Sequence, residues 1–372
     1  MTSPEKLPLI LAINPGATST KIGLLSGSMW RLRQTIPHDA SELAKYDRVT
    51  DQYQYRLDLV RKALNDNRVS PEDLTAVVAR GGLLRPCAGG TYLINQAMLN
   101  DLEACTYGAH VSNLAPIIAY NIAHPLGIPS YIVDPVTVDE FWPLARVSGL
   151  KGITRLSQAH ALNMKAVAHR VAKSLGFAYS DLNLITVHLG SGISVAPHCK
   201  GRMVDVNNAN NEGPFAPERC GGLPAVQLTQ LCFSGKYTEK QVINMLTRDG
   251  GLYSYLGTKD VRIIEERIAA GDQEAKLVLD AMCYQVAKEV GAMACALEGK
   301  VDRIIITGGI AYSDYVVSRI VRRVEFLAPI SIVPGEEELE SLVEGALRVL
   351  NGEEQPREYP PQEEDIHAVA EL

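Results

Sequence analysis

Leu9-Ile-Leu-Ala-Ile-Asn-Pro-Gly-Ala-Thr-Ser-Thr-Lys-Ile-Gly-Leu-Leu25 is the stretch on which the reading of this chain turns. Residues 7 to 13 and 20 to 25 are uncharged or largely apolar runs, and Asn14 to Ser19 between them carry Pro, Gly and hydroxyls. That is the pattern of a buried β-hairpin with an unusual turn. Backbone N–H groups, the Thr18 and Ser19 hydroxyls and the Lys21 ammonium can all donate there, which makes the turn a candidate phosphate cradle. It is not a P-loop, because no Gly-x-x-x-x-Gly-Lys-Ser/Thr occurs and the run after the turn reads as strand. Taken alone, an Asn-Pro-Gly turn between strands also suits a plain hairpin.

The pattern recurs. Asn183-Leu-Ile-Thr-Val-His-Leu-Gly-Ser-Gly-Ile-Ser-Val-Ala196 is again strand, Gly/Ser turn and strand. A third strand follows each hairpin, at 27–36 and at 200–206, and each half then supplies helices and two buried strands, 74–79 with 131–133 and 303–307 with 330–333. The spacing predicts an internal duplication of a three-strand meander followed by alternating helices and strands. Two such halves, each offering a Gly turn to a phosphate chain across a nucleotide cleft, resemble the sugar kinase, actin and acetate kinase superfamily. The expected class is therefore α/β, with duplicated ribonuclease H-like domains of the actin-like ATPase fold. The expected division is 1–150 plus about 338–352 for the first domain, 151–337 for the second, nucleotide-binding one, and 353–372 for an acidic tail.

Composition narrows the function. At 372 residues the chain is long for one core. No apolar stretch reaches the ~18 residues of a membrane span, and no small-residue cleavage site follows the first apolar run, so a soluble, cytoplasmic protein is expected. Seven cysteines without a C-x-x-C pair fit neither a disulfide framework nor a zinc site. A net charge of −7 argues against nucleic acid, and Arg319, Arg322 and Arg323 read as a solvated helix face.

Along the chain, residues 51–66 read as a helix with Tyr55, Leu59 and Leu64 on its apolar side and Asp51, Arg56, Arg61 and Lys62 on the other. The segment 79–92 is glycine-dense at the end of a strand, and its Arg80 and Arg85 suit either anion recognition or solvation. Asp134 follows the strand 131–133, where a carboxylate suits magnesium on a nucleotide, although an Asp-Pro turn requires no such role. A helix is expected over 155–176, capped by Ser157, with His160 on the buried face of its first turn; such a histidine either packs in the core or donates to a phosphoryl oxygen. The polar loop 205–224 is long enough to be functional, and Arg219 is its only cation. The strand 303–307 ends in Gly308-Gly309, permitting close approach of a flat adenosine. From Asn351 onward the tail reads as a loosely held surface extension.

The ordered motifs Asn14-Pro-Gly-Ala-Thr-Ser-Thr-Lys21, Ala79-Arg-Gly-Gly-Leu-Leu-Arg-Pro86, Val133-Asp-Pro135, His160-Ala-Leu-Asn163, His188-Leu-Gly-Ser-Gly192, Gly213-Pro-Phe-Ala-Pro-Glu-Arg219 and Thr307-Gly-Gly-Ile310 resemble the butyrate kinase branch of the acetate kinase family. The resemblance covers residue 8 to about 350. It implies ATP- and Mg²⁺-dependent phosphorylation of a short-chain fatty acid, reversibly, in a homo-oligomer of at least two chains without nucleic acid or membrane partners. It puts phosphate contacts on Asn14, Thr18, Ser19 and Lys21 and on His188, Gly190, Ser191 and Gly192, and adenosine on Gly308, Gly309 and Ile310. Arg80, His160 and Arg219 then stabilise the transferring phosphoryl, while Asp134 and Glu337 take the magnesium-side roles, with Glu336 and Glu338 as alternatives to Glu337. Gly81, Gly82, Arg85, Ala159 and Pro217 are the implied acid-binding residues. Ala17 stands where the family usually has Ser, the 207–213 loop is one residue short, and Ala159 stands where the acetate enzymes carry Phe, which makes room for a longer acyl chain.

A carboxylate acceptor is already an anion, so the chemistry calls for alignment and charge neutralisation rather than a base. A sugar kinase would need an Asp base for a hydroxyl. A non-enzymatic ATP switch would need a partner-binding region that this chain has little length to supply. Acetate or propionate is the alternative substrate.

Overall fold

The structure, a computed structural model, describes residues 7–360. It divides into two units, with boundaries after Val138 and after Glu336, so the chain leaves the first unit, builds the second, and returns to the first with its last helix.

In the first unit, β1 (Leu9–Pro15), β2 (Ser19–Ser26) and β3 (Met29–Pro37) form the antiparallel meander; β4 (Ala76–Arg80), β5 (Thr91–Leu93) and β6 (Ser130–Val133) complete the sheet in the order β3-β2-β1-β4-β6-β5. β1, β4 and β6 run parallel. Every residue of β1 is buried, as a central strand covered on both faces requires. Alternation sends Leu9, Leu11 and Ile13 into the core shared with helices Tyr53–Asp66 and Leu114–Ala123. Ile10 and Ala12 take the other face, and helix Glu338–Leu350 also packs on β1.

The second unit repeats the plan. β7 (Asn183–Leu189), β8 (Ile193–Cys199), β9 (Arg202–Met203), β10 (Arg303–Gly308) and β11 (Ile330–Pro334) order as β11-β10-β7-β8-β9, with β7, β10 and β11 parallel. Met282, Val286, Val290 and Met293 of helix Gln273–Ala296 cover one face, and Val167, Ala168 and Val171 of helix Ala161–Ser174 pack with Leu184 and Ile305 on the other. A polar network is buried beside them. The fully buried His198 is held by the Tyr179 hydroxyl at 2.5 Å and the Thr186 hydroxyl at 2.7 Å. Lys165 and Glu140 form an ion pair at 2.9 Å with side chains 5% and 6% exposed, and the same Glu140 oxygen accepts the Met203 N–H at 2.6 Å.

Four expectations are corrected. The third strand of the second meander pairs only at Arg202 and Met203, because Pro197 accepts from the Val204 N–H but has no N–H to return, and the Asn207 side chain then takes over as partner of Val195. The helix expected from 155 begins at Ala161; Arg155 instead ties the preceding segment to Asp205 at 2.9 Å and Glu212 at 3.0 Å. The glycine-dense segment 79–92 is not irregular to its end: Thr91 and Tyr92, with Leu93, form edge strand β5. The chain after Asn351 is not loosely held as far as it is described: Arg357 exchanges backbone hydrogen bonds with Thr91 and Leu93, and Tyr359 is buried with its hydroxyl donating to Asp101 at 2.7 Å. Most of the acidic tail, 361–372, lies outside the described residues.

Candidate active site

Asn14, Arg80 and Asp134 stand at the carboxyl ends of β1, β4 and β6, three adjacent parallel strands, which is where α/β sheets bind ligands. Asn14 Nδ2 donates to Glu338 Oε2 at 2.5 Å and Arg80 Nη1 donates to Glu338 Oε1 at 2.8 Å. One carboxylate on the first turn of the last helix thus joins two strand ends. Glu337 is exposed and caps that helix in the left-handed region, with φ +35°. Asp134, 3% exposed, accepts the Gly90 N–H on Oδ1 at 2.7 Å. Lys21 is exposed and pairs with Asn14 in the β1–β2 ladder. At the turn itself Thr18 is exposed, Ser19 is half-buried, and the Gly16 N–H donates to Ser19 O at 2.7 Å. Gly81 and Gly82 are buried, while Arg85 points outward with Nε donating to the Tyr107 hydroxyl at 3.1 Å.

In the second unit the imidazoles of His160 and His188 stack, centroids 3.9 Å apart and planes 9° apart. Each is held from behind: Ser194, paired with His188 in the ladder, meets His160 Nδ1 at 3.0 Å, and Asn163 Oδ1 meets His188 Nδ1 at 2.8 Å. Asn163 Nδ2 donates to Glu336 O at 3.1 Å, which leaves its oxygen to accept from a protonated His188 Nδ1. His188 Nε2 is buried without a hydrogen-bond partner, 3.5 Å from Glu336 Oε1.

The Gly190–Gly192 turn lies against both cationic and imidazole groups. A Cβ on Gly190 would come 2.9 Å from His188 Nε2, and one on Gly192 would come 2.3 Å from Arg219 Nη1, so only glycine lets the guanidinium cross the turn. Arg219 Nη1 donates to Ala209 O at 3.3 Å, its Nε is buried without a partner, and burial lowers its pKa. A cation so incompletely paired is costly in isolation and ready for an anion. Gly308, with φ +91°, lies so close to the end of β7 that a Cβ would sit 2.3 Å from Leu189 O. Gly309 and Ile310 open the short 3-10 turn after β10, and Ser191 is exposed. Pro217 is buried and its carbonyl accepts from the Tyr253 N–H at 3.0 Å; Ala159, 8% exposed, directly precedes His160.

Among the described residues, no group of three or more His, Cys, Asp or Glu side chains is placed to hold a metal by itself. Magnesium carried on a nucleotide needs only one or two protein carboxylates, with phosphates and water as the other ligands. Buried Asp134 and exposed Glu337 fit that demand. Sequence reasoning left Glu338 as an alternative and placed Arg56 on the solvated helix face; the structure buries Arg56 beneath the 16–20 turn instead. Its spacing with Leu57, Val60 and Leu64 was the available signal.

Two meander-led sheets of repeated topology make this an α/β protein of the actin-like ATPase fold. The chain belongs to the Acetokinase family, whose profile matches residues 144–342, more than half of its length. That membership makes it a carboxylate phosphotransferase. It is similar in fold to Porphyromonas gingivalis acetate kinase, with TM-score 0.76 and 20% identity over 92% of this chain and 100% of that one. A propionate kinase from Francisella tularensis subsp. tularensis SCHU S4 gives TM-score 0.70 and 19% identity, covering 90% of this chain and 98% of that one. Acetate kinase from Entamoeba histolytica gives 0.72 and 16%, covering 91% and 99%. Among the described residues no helix is long and apolar enough to cross a membrane.

Proposed function

We propose that this protein transfers the γ-phosphoryl of ATP to the carboxylate of a four- or five-carbon fatty acid, linear or branched, giving an acyl phosphate and ADP reversibly. The observation that carries this reading is the arrangement around Gly190–Gly192, where the N–H donors of the Arg219 guanidinium, its Nε buried without a partner, cross one turn beside the His188 imidazole. Developing charge on the transferring group is what such donors stabilise, and an ionised acceptor needs no base.

In this reading Arg80, His160 and Arg219 stabilise the transferring phosphoryl. Asn14, Thr18, Ser19, Lys21, His188, Gly190, Ser191 and Gly192 take the phosphates, and Gly308, Gly309 and Ile310 the adenosine. Asp134 and Glu337 would hold Mg²⁺, which supplies charge neutralisation when bound. Gly81, Gly82, Arg85, Ala159 and Pro217 receive the acid. The small Ala159 beside His160 supports a chain longer than acetate, since a Phe there would occupy the space. Exposed Leu144, Val147, Leu150, Ile153 and Leu156, each at least 60% exposed, support a homo-oligomer.

The second reading, acetate or propionate as substrate, is favoured by the acetate and propionate kinases among the structural neighbours. A hydroxamate assay with Mg-ATP across acids of increasing length separates the two. The proposal expects the highest kcat/KM on four- and five-carbon acids; a maximum on acetate supports the second reading.

A further inference from the structure

Arg56 heads the largest fully buried side chains of the described residues, at 1% exposure, and sits in helix Tyr53–Asp66. Its guanidinium is spent on the underside of the first glycine turn. Nη1 donates to Gly16 O at 2.9 Å, to Thr20 Oγ1 at 3.3 Å and to Ser19 O at 3.5 Å, and Nη2 donates to Ala17 O at 3.2 Å. Gln52 Oε1 accepts from Nε at 3.2 Å and from Nη2 at 3.0 Å, fixing the plane of the fork. No carboxylate is among these partners.

Peptide planarity turns this clamp into a statement about the other side of the turn. A trans peptide holds its C=O antiparallel to the N–H that follows. With the Gly16 and Ala17 carbonyls drawn onto Arg56, the N–H groups of Ala17 and Thr18 face away from it. Both residues are exposed, and among the described residues neither N–H has a protein acceptor. Successive outward N–H groups form an anion-binding concavity.

We infer that Arg56 is a positioning residue for phosphate recognition: it shapes the 16–20 turn so that the Ala17 and Thr18 amides are presented to the terminal phosphate of the nucleotide, without touching it. A lysine would keep the charge yet lose the fork that gathers three carbonyls. The inference rests on the proposed phosphate role of this turn.

The test compares ATP and ADP dissociation constants by calorimetry, in the absence of acid, for the wild type, Arg56→Lys and Gln52→Met. A loss of overall stability weakens both nucleotides together, whereas a misshapen terminal-phosphate turn weakens ATP selectively. The expected result is a roughly tenfold fall in the ATP-over-ADP preference of Arg56→Lys, the scale of a lost charge-assisted hydrogen bond, with a smaller fall in Gln52→Met. If Arg56→Lys does not fold, Gln52→Met, which keeps Arg56 but frees its fork, decides alone. An unchanged preference in the variants, where the wild type makes acyl phosphate, overturns the inference and leaves the function standing. A wild type that makes no acyl phosphate overturns the functional reading and this inference with it.

Discussion

Arg80 and Glu338 stand 258 positions apart in sequence and meet at 2.8 Å, the arginine donating to a carboxylate that also receives Asn14. The ends of β4 and β1 are therefore tied to the return helix through one side chain. Glu338→Ala should release Asn14 and Arg80 together. We expect kcat to fall about 10- to 100-fold while the melting temperature shifts by only a few degrees, since a 1 Å misplacement of an aligned group costs on that scale. Steady-state kinetics beside thermal unfolding checks this, and Glu338→Gln, which keeps one acceptor oxygen, should recover part of the loss.

At the candidate site the Arg219 guanidinium makes one hydrogen bond, to Ala209 O, and its Nε is buried without a partner. If it stabilises the transferring phosphoryl, Arg219→Ala costs roughly 3 to 4 kcal/mol of transition-state stabilisation, as lost oxyanion donors do. The measured quantity is kcat/KM with the acid and Mg-ATP. Turnover near the wild-type value removes Arg219 from the mechanism.

Ala159 tests the acyl pocket. Each methylene buried in a fitting apolar site contributes ~0.8 kcal/mol, so a four-carbon acid gains about 1.6 kcal/mol over acetate. Ala159→Phe should abolish that gain, lowering kcat/KM on four- and five-carbon acids by roughly tenfold or more with little effect on acetate. Ala159 is also 8% exposed, so a ring that overpacks the core would instead lower activity on every acid together with the melting temperature.

His198 sets a pH dependence of stability. Burial, with Lys165 nearby, lowers its pKa from 6.5 to about 3. A depressed folded-state pKa means that the unfolded chain takes the proton first. Its contribution is therefore complete above pH 6.5 and is progressively lost as pH falls from 6.5 toward 3, with a slope approaching ~1.4 kcal/mol per pH unit. Urea unfolding at pH 7.5, 6.5 and 5.5 should show a shallower decline in His198→Asn than in the wild type. Equal slopes contradict the assignment.

The strands that carry the site were legible because their signals are local: uncharged runs at 9–13 and 183–189 broken by Pro or Gly turns admit few other structures. What escaped was decided by tertiary packing. A charged residue on a helix reads as solvated, and nothing at position 56 itself announces the carbonyls waiting 37 to 40 residues earlier. Glu336, Glu337 and Glu338 are indistinguishable as letters. The left-handed turn at Glu337 separates them, setting Glu336 near His188 and sending Glu338 to Arg80. Tyr359 likewise lies in a Pro/Glu-rich segment, where its buried ring outweighs the composition around it.

The central claim is that a carboxylate oxygen attacks the γ-phosphorus of ATP. Butyrate labelled with ¹⁸O in both carboxyl oxygens, incubated with enzyme, Mg-ATP and hydroxylamine, tests this directly. Hydroxylamine cleaves the acyl phosphate at the acyl carbon, so the phosphate released keeps the bridging oxygen. The account predicts phosphate carrying one ¹⁸O atom, read by its isotope shift in the ³¹P spectrum, in amounts equal to the butyryl hydroxamate formed. Unlabelled phosphate without hydroxamate, the signature of water attacking ATP, would contradict it.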